Sequence, residues 1–337
     1  MEGPPEGPRP PHRSRAREGT RDAATTDRVR VRVPATSANL GPAFDCAGLA
    51  LARHDVLDFS VEPAGLAVEV RGVGAGELPA DESHLVVRAF RAACAELGWT
   101  PPGLRVVAEN AIPQGRGMGS SAAAVVAGVL AAWALCPGVE GIDGNAVLRL
   151  TTEMEGHPDN VAACLLGGLT LSWTGEGGVG ADSLPVHEDV LPVVLVPDAT
   201  LSTEVARGLL PDVVPHADAA FNAGRSALLV HALTSGELLL EATEDRLHQQ
   251  QRRAAMPASI DLVERLRAAG HAAVVSGAGP SVLVLARRTV RGPGREPGAA
   301  EIEEITALAD RGWSVLPLTV DPTGARLDRP QRQVSSR

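Results

Sequence analysis

Residues Pro113 to Ala124 read Pro-Gln-Gly-Arg-Gly-Met-Gly-Ser-Ser-Ala-Ala-Ala, with Gly115, Gly117 and Gly119 at every second position. The run that follows, AAAVVAGVLAAWAL from Ala122 to Leu135, is small and apolar on every side and packs best as a buried helix. A glycine-rich loop opening into a helix is an anion site. Glycine lets the backbone approach oxygens closely and adopt positive φ. The helix start supplies unpaired N–H groups and the positive end of the dipole. The ligand that fits is a polyphosphate, so the segment reads as a nucleotide-binding loop.

The loop belongs to neither common class. It lacks the lysine of GxxxxGK[ST], and GRGMGS is GxGxGS rather than GxGxxG. Taken alone, a glycine-rich turn before a core helix is the simpler account. The serine pair at the helix start and two further segments reverse that balance.

Composition narrows the rest. The chain has 337 residues, room for two ordinary domains, and is 44% hydrophobic and 21% charged, as a soluble globular protein is. Aromatics make up 2%, with no tyrosine, so the core must come from Ala, Val and Leu. A formal charge of −10 argues against a nucleic-acid surface, and no apolar run reaches membrane-spanning length. Cys46, Cys94, Cys136 and Cys164 show no metal-ligand spacing and read as reduced thiols of a cytoplasmic protein.

Residues 1–27 are rich in Pro, Gly, Arg and Glu and read as a disordered tail. Structure is expected from Arg28, where VRVRVPA alternates as a strand ending at Pro34. Strands joined by Gly and Pro turns follow through Gly74, then a helix from Ser83 to Leu97 and a strand over GLRVVAEN. Past the alanine-rich helix, a second helix begins near Asp143. EGHPDNVAACLLGGLTLSW gives a polar loop, a short helix and a strand, and the chain turns loose near 175–180. VVLVP opens a second domain. Helices over Ala219–Leu233, Leu238–Leu247, Ile260–Ala269 and Glu301–Arg311 are expected, with strands flanking SGAGPS and a last strand in WSVLPLTVD. The domains are 28–190 and 191–322, with a frayed end over 323–337. The class is α+β, two domains meeting at a cleft, without regular β-α-β alternation.

Three separated segments carry the functional argument. Pro34-Ala-Thr-Ser-Ala-Asn-Leu-Gly-Pro-Ala-Phe-Asp45 sets Asn39 and Asp45 in a constrained loop suited to a small polar ligand, or to satisfying its own backbone. The glycine loop is the second. Ser276-Gly-Ala-Gly-Pro-Ser281, a tight glycine turn by itself, is the third. Together, and in this order, they resemble the three motifs of the GHMP kinases: an N-terminal PxxxNLG-like segment, a PxGxGLGSSAA phosphate loop and a C-terminal SGAGP-like turn. The resemblance spans Arg28 to Asp321. PATSANLGPAFDCAGLAL, EGHPDNVAACLLGG and LSTEVARGLLP are each similar to the homoserine kinase group of that family, in its actinobacterial form.

The resemblance implies an ATP-dependent phosphotransferase converting L-homoserine to O-phospho-L-homoserine in threonine biosynthesis, with Mg²⁺. Nucleotide contacts then fall on Pro113, Gln114, Gly115, Arg116, Gly117, Met118, Gly119, Ser120, Ser121, Ala122 and Ala123. Arg116 either touches phosphate or faces solvent. Ser121 and Glu155 would hold the metal, with Glu153 as the alternative to Glu155. Homoserine is zwitterionic: Asp45 suits its ammonium, and Arg207 and Arg252 its carboxylate, with Arg253 the alternative to Arg252. Asn39, His157 and Asn160 are assigned to the reacting hydroxyl and γ-phosphate. Asn160 stands where some relatives carry a basic aspartate, so positioned attack rather than a strong base is expected. Asp159 reads as an N-cap for a helix starting at Asn160. The family's NLVVRA segment is His84-Leu-Val-Val-Arg-Ala here, a departure at the adenine end. Family members are often dimeric, which leaves a homodimer open. A mevalonate- or sugar-type kinase would leave Asp45 without a cationic partner, and a non-catalytic nucleotide sensor would not need Glu155, Ser121, Asp45 and Arg207 together.

Overall fold

The structure is a computed structural model and describes residues 27–288 and 298–329. The tail expected over 1–27 lies outside these except for Asp27, whose carbonyl accepts from the Val61 N–H.

The alternating segment forms β1, Arg28–Ala38, whose burial alternates up to Val33 and is continuous afterwards. The expected end at Pro34 is corrected. A register shift between Pro34 and Ala35 absorbs the proline at an irregularity of the pairing, and Thr36, Ser37 and Ala38 continue the strand. β2 is one long strand, Ala47–Glu62, followed by β3, Gly65–Gly72, and β4, Gly103–Asn110. β5, Leu169–Gly175, and β6, Gly178–Leu184, form a hairpin closed by the Gly175–Gly178 pair, so the loose stretch expected over 175–180 is ordered by a tight turn. The first sheet runs β11-β1-β2-β4-β3, with β5 also on β2 and β6 on β5. Its edge strand β11, Arg326–Asp328, corrects the frayed end expected from 323 as far as Arg329, and residues 330–337 lie outside the described set. It pairs antiparallel with Arg30–Arg32, a partner hundreds of residues away that local polarity could not announce.

Helices α1, Leu85–Glu96, α2, Ser120–Leu135, α3, Gly144–Glu155, and α4, Asp159–Leu166, accompany this sheet. Asp143 caps α3, accepting from the N–H groups of Asn145 and Ala146. The small residues of α2 have a packing reason. A Cβ on Gly128 would stand 2.4 Å from the Val86 carbonyl, so α1 and α2 approach to backbone contact.

The second sheet is antiparallel in the order β10-β7-β9-β8: β7 Val190–Pro197, β8 Ala273–Val275, β9 Val282–Arg287 and β10 Trp313–Pro317. Helices α5, Thr203–Arg207, α6, His216–Ser235, α7, Leu239–Ala242, α8, Pro257–Ala268, and α9, Ala299–Leu308, complete this half. The helix expected over Leu238–Leu247 stops at Ala242. Asp245 ends it by accepting from the backbone N–H groups of Leu247, His248 and Gln249, a local alternative to the helical ladder. The result is the α+β arrangement expected, and the two sheets approach each other where β1, the glycine loop and the β8–β9 turn meet.

Candidate active site

Gly115, Gly117 and Gly119 all have left-handed backbones, with φ of 62°, 68° and 68°. At two of them space is also decisive. A Cβ on Gly117 would lie 2.1 Å from the Ser276 carbonyl, and one on Gly119 would lie 1.9 Å from Thr36 Oγ1. The three motifs are thus in contact through the loop. Thr36 N–H donates to the Met118 carbonyl (3.0 Å), and Ser276 Oγ bonds both Ser37 Oγ (2.8 Å) and the Gly117 carbonyl (2.6 Å). The α2 ladder begins with Ala123 N–H donating to Gly119, and no side chain caps the helix, so its start is an open set of donors beside a cavity of about 320 Å³.

Arg116 lines the cavity and is partly exposed. Its guanidinium donates to the carbonyls of Gln114, Pro197 and Asp198, tying the loop to the end of β7. Leu201 N–H to the Gly115 carbonyl (2.9 Å) adds a second tie.

Across the cavity, Ser121 Oγ donates to Glu155 Oε2 at 2.8 Å. Burial pushes the Glu155 carboxyl above its ordinary range, against the opposing pull of that bond and of His157. Glu153 instead points outward and pairs with Arg149 (2.8 Å), an ordinary exposed i,i+4 pair. Among the described residues no group of three or more His, Cys, Asp or Glu side chains could cage a metal. One carboxylate and one hydroxyl beside an anion site match the sparse protein ligation of Mg²⁺, which keeps waters and takes phosphate oxygens.

The Gly156–Asn160 turn supplies the next three groups. His157 Nδ1 bonds Asp159 Oδ1 at 2.6 Å, and a carboxylate only accepts, so Nδ1 carries the proton. Burial alone would lower the His157 pKa, but the Asp159 hydrogen bond and charge outweigh it and raise it. Asp159, 2% exposed, is not the N-cap expected: α4 begins at Asp159 itself, and its carboxylate serves His157 and the Asn160 N–H. Asn160 Oδ1 accepts from Thr36 Oγ1 at 2.7 Å.

Asn39 lines the cavity, and its amide is engaged by protein groups. Its Nδ2 donates to the Gly277 carbonyl (2.9 Å), and its Oδ1 accepts from the Asp45 N–H (2.9 Å). One end of its amide therefore staples the first motif to the third, and the other closes the first motif on itself. Asp45 and Arg207 form a two-bond ion pair, 2.5 and 3.0 Å, with Arg207 on the cavity wall and Asp45 outside its lining. Hydrogen bonding to Asp45 raises the Arg207 pKa against burial. Arg252 is 1% exposed, lines the cavity and has no carboxylate within salt-bridge distance among the described residues. Its guanidinium donates to the Ala206 and Gly277 carbonyls, and burial followed by the nearby Arg207 charge lowers its pKa. Arg253 lies outside, paired with Asp261 and Glu264. His84 caps α1 through Nδ1, which accepts from the Val86 N–H, while burial lowers its pKa.

Sequence reasoning did not single out Thr36, Ser37 and Ser276 as loop supports. Their signal was their place inside the first and third motifs. A larger cavity, about 500 Å³, opens beside His271 and Glu301 and gathers none of the three motifs.

Residues 84–168 match the family description "GHMP kinases N terminal domain", and 228–302 match "GHMP kinases C terminal". The homoserine kinase of Clavibacter michiganensis subsp. michiganensis is 56% identical over 304 residues, covering 90% of this chain and 94% of the relative. That of Streptomyces avermitilis is 53% identical over 299 residues, covering 88% and 94%. The crystal structure of homoserine kinase from Cytophaga hutchinsonii superposes with a TM-score of 0.74 at 26% identity, covering 90% of this chain and 98% of that one. With relatives of this identity and coverage, and with the loop, the turn and the first motif converging on one cavity, the chain belongs to the GHMP kinase family, in its homoserine kinase group.

Proposed function

We propose that this protein transfers the γ-phosphoryl group of ATP to the side-chain hydroxyl of L-homoserine. The observation that carries the proposal is one cavity joining an open helix start to Arg207 and Arg252, with Asp45 bonded to Arg207 just outside its lining. In the reaction the hydroxyl oxygen bonds Pγ, the bond from Pγ to the β–γ bridging oxygen breaks, ADP leaves with that electron pair, and the hydroxyl proton passes to a phosphoryl oxygen and on to water. Phosphoryl transfer asks mainly for positioning and charge stabilisation, and the groups here suit that demand.

Backbone N–H groups from Gly115 to Ser121 cradle the β- and γ-phosphates. Ser121 and Glu155 would hold Mg²⁺, which would supply positive charge to neutralise the phosphates. The substrate ammonium takes Asp45 and its carboxylate takes Arg207 and Arg252. In this reading the Asp45–Arg207 pair opens, and each partner exchanges its counter-charge for one end of the zwitterion, so neither is left unpaired. Neutral His157, fixed by Asp159, offers Nε2 as an acceptor that orients the hydroxyl. Asn160, held by Thr36, flanks the same point. Asn39 acts by positioning the first motif.

A cytoplasmic enzyme follows from this reading, in keeping with four free cysteines. Among the described residues no helix is long and apolar enough to cross a membrane. A homodimer would show as twice the 34.8 kDa chain mass in light scattering.

The test is ADP release with Mg·ATP, comparing L-homoserine, L-serine, L-threonine, mevalonate and galactose. Homoserine is expected to give the highest kcat/KM. Equal or higher turnover on mevalonate or galactose, or ATP binding with no turnover on any of them, would overturn the assignment.

A further inference from the structure

The charged end of the site is organised around one aromatic ring. The guanidinium carbons of Arg207 and Arg252 each lie 5.4 Å from the Phe44 ring centroid. The ring of His248, which itself bonds Arg252 Nη1 and the Gly41 carbonyl, is 5.0 Å away. Phe44 is partly buried, does not line the cavity, and lies against two arginines that do. The loop that carries it is strained: Asn39, Leu40 and Asp45 all have positive φ, at 69°, 47° and 57°, and among the described residues Leu238 is the one other non-glycine with that conformation. Strain of this kind persists where surrounding contacts enforce it, here through the Asn39 amide bonds to Gly277 and Asp45.

Two guanidinium groups aimed at one anion repel each other while the anion is away. A ring face attracts a cation without neutralising it, so it can seat both side by side while their N–H groups are held by protein acceptors, Asp45 for Arg207 and the Ala206 and Gly277 carbonyls for Arg252. A second carboxylate in that place would compete with the ligand. From this geometry we infer that Phe44 is a positioning residue that sets selectivity for a substrate carboxylate by seating Arg207 and Arg252 as a pair. The inference rests on the kinase reading above and adds to it a residue that touches neither substrate nor nucleotide.

The experiment compares wild type, Phe44→Leu and Phe44→Tyr on L-homoserine and on 2-amino-1,4-butanediol, in which CH₂OH replaces the carboxylate. Wild-type turnover on homoserine is measured first, and its absence would overturn the kinase reading and this inference with it. In Phe44→Leu the homoserine KM is expected to rise about tenfold, the scale of one or two desolvated cation–π contacts. The KM for ATP should stay put, and preference for homoserine over the diol should fall by a similar factor. Phe44→Tyr, which keeps the ring, should restore both. If Phe44→Leu weakens homoserine and diol equally, or Phe44→Tyr fails to restore the preference while its thermal unfolding matches wild type, the ring only packs and the inference is wrong.

Discussion

The two ends of the cavity are built on different principles. The phosphate end is backbone: three left-handed glycines, an uncapped helix start, and carbonyl ties from Arg116 and Ser276 that hold the loop. The substrate end is charged side chains: Asp45 paired with Arg207, and Arg252 buried without a carboxylate partner. A backbone site has fixed dipoles and one shape, and is sensitive to volume. A side-chain site is held by mutual charge and is sensitive to the loss of one partner. The contrast suits the ligands: every ATP presents the same phosphates, whereas an amino acid must be told from other small alcohols.

The largest effects should break the backbone end by volume alone. Gly119→Ala and Gly117→Ala force a Cβ against Thr36 Oγ1 and the Ser276 carbonyl at positive φ, and should lower kcat/KM for ATP on the order of 100-fold with a lower Tm. Gly115→Ala meets its nearest neighbour, the Thr200 side chain, at 3.4 Å and should cost much less. Equal losses at all three positions in steady-state assays would show that φ, not contact, governs the loop.

Next, Arg252→Met removes the buried guanidinium from the side-chain end. The homoserine KM is expected to rise ~100-fold with the ATP KM unchanged, since one partner of a buried charge pair is lost on binding. Arg253→Met, at the surface, should leave both within about twofold.

Glu155 belongs to both ends and separates function from stability. Burial raises its pKa, so relative to an unshifted carboxyl the fold gains below the unfolded value and loses that advantage as pH rises through the folded one. Glu155→Gln should therefore raise the Tm of the ligand-free protein at neutral pH. It should also lower kcat by roughly 100-fold and increase the Mg²⁺ concentration needed for half-maximal rate. A drop in Tm would mean that the Ser121–Glu155 bond outweighs the buried charge.

The smallest effect concerns pH. The His157–Asp159 pair raises the His157 pKa, so its stability contribution is full below the unfolded histidine value and is lost as pH rises through the folded one. Orientation of the hydroxyl needs the neutral ring, so activity should fall in acid through that raised pKa. Asp159→Asn should move the acid limb of the kcat profile to lower pH, with a loss of about tenfold or less at the optimum. A limb that does not move would take His157 out of the reacting centre.

Much of this was legible in the chain. The glycine loop and the helix behind it carried their own signal, because positive φ, small volume and a helix start are local properties. The three motifs, in order, carried the family. The ends of elements were harder. Pro34 did not end β1, because an irregular pairing tolerates a missing N–H. Gly175–Gly178 closed a hairpin rather than a loose loop. Leu238–Leu247 lost its second half to the Asp245 turn, and Arg326–Asp328 became a strand through a partner at the other end of the chain.

Side-chain roles divided the same way. Residue type already separated acceptors from cations, so Asp45, Arg207, Arg252, Ser121 and Glu155 were all nameable as candidates. Whether Arg252 or its neighbour entered the cavity, which backbone carbonyls Asn39 and Arg116 bond, and whether Asp159 capped a helix or held a histidine were decided only by tertiary structure. The physical reason is that sequence fixes what a group can donate, accept or charge, whereas the partner that uses that capacity arrives from another element, and its distance exists only once the two sheets have met.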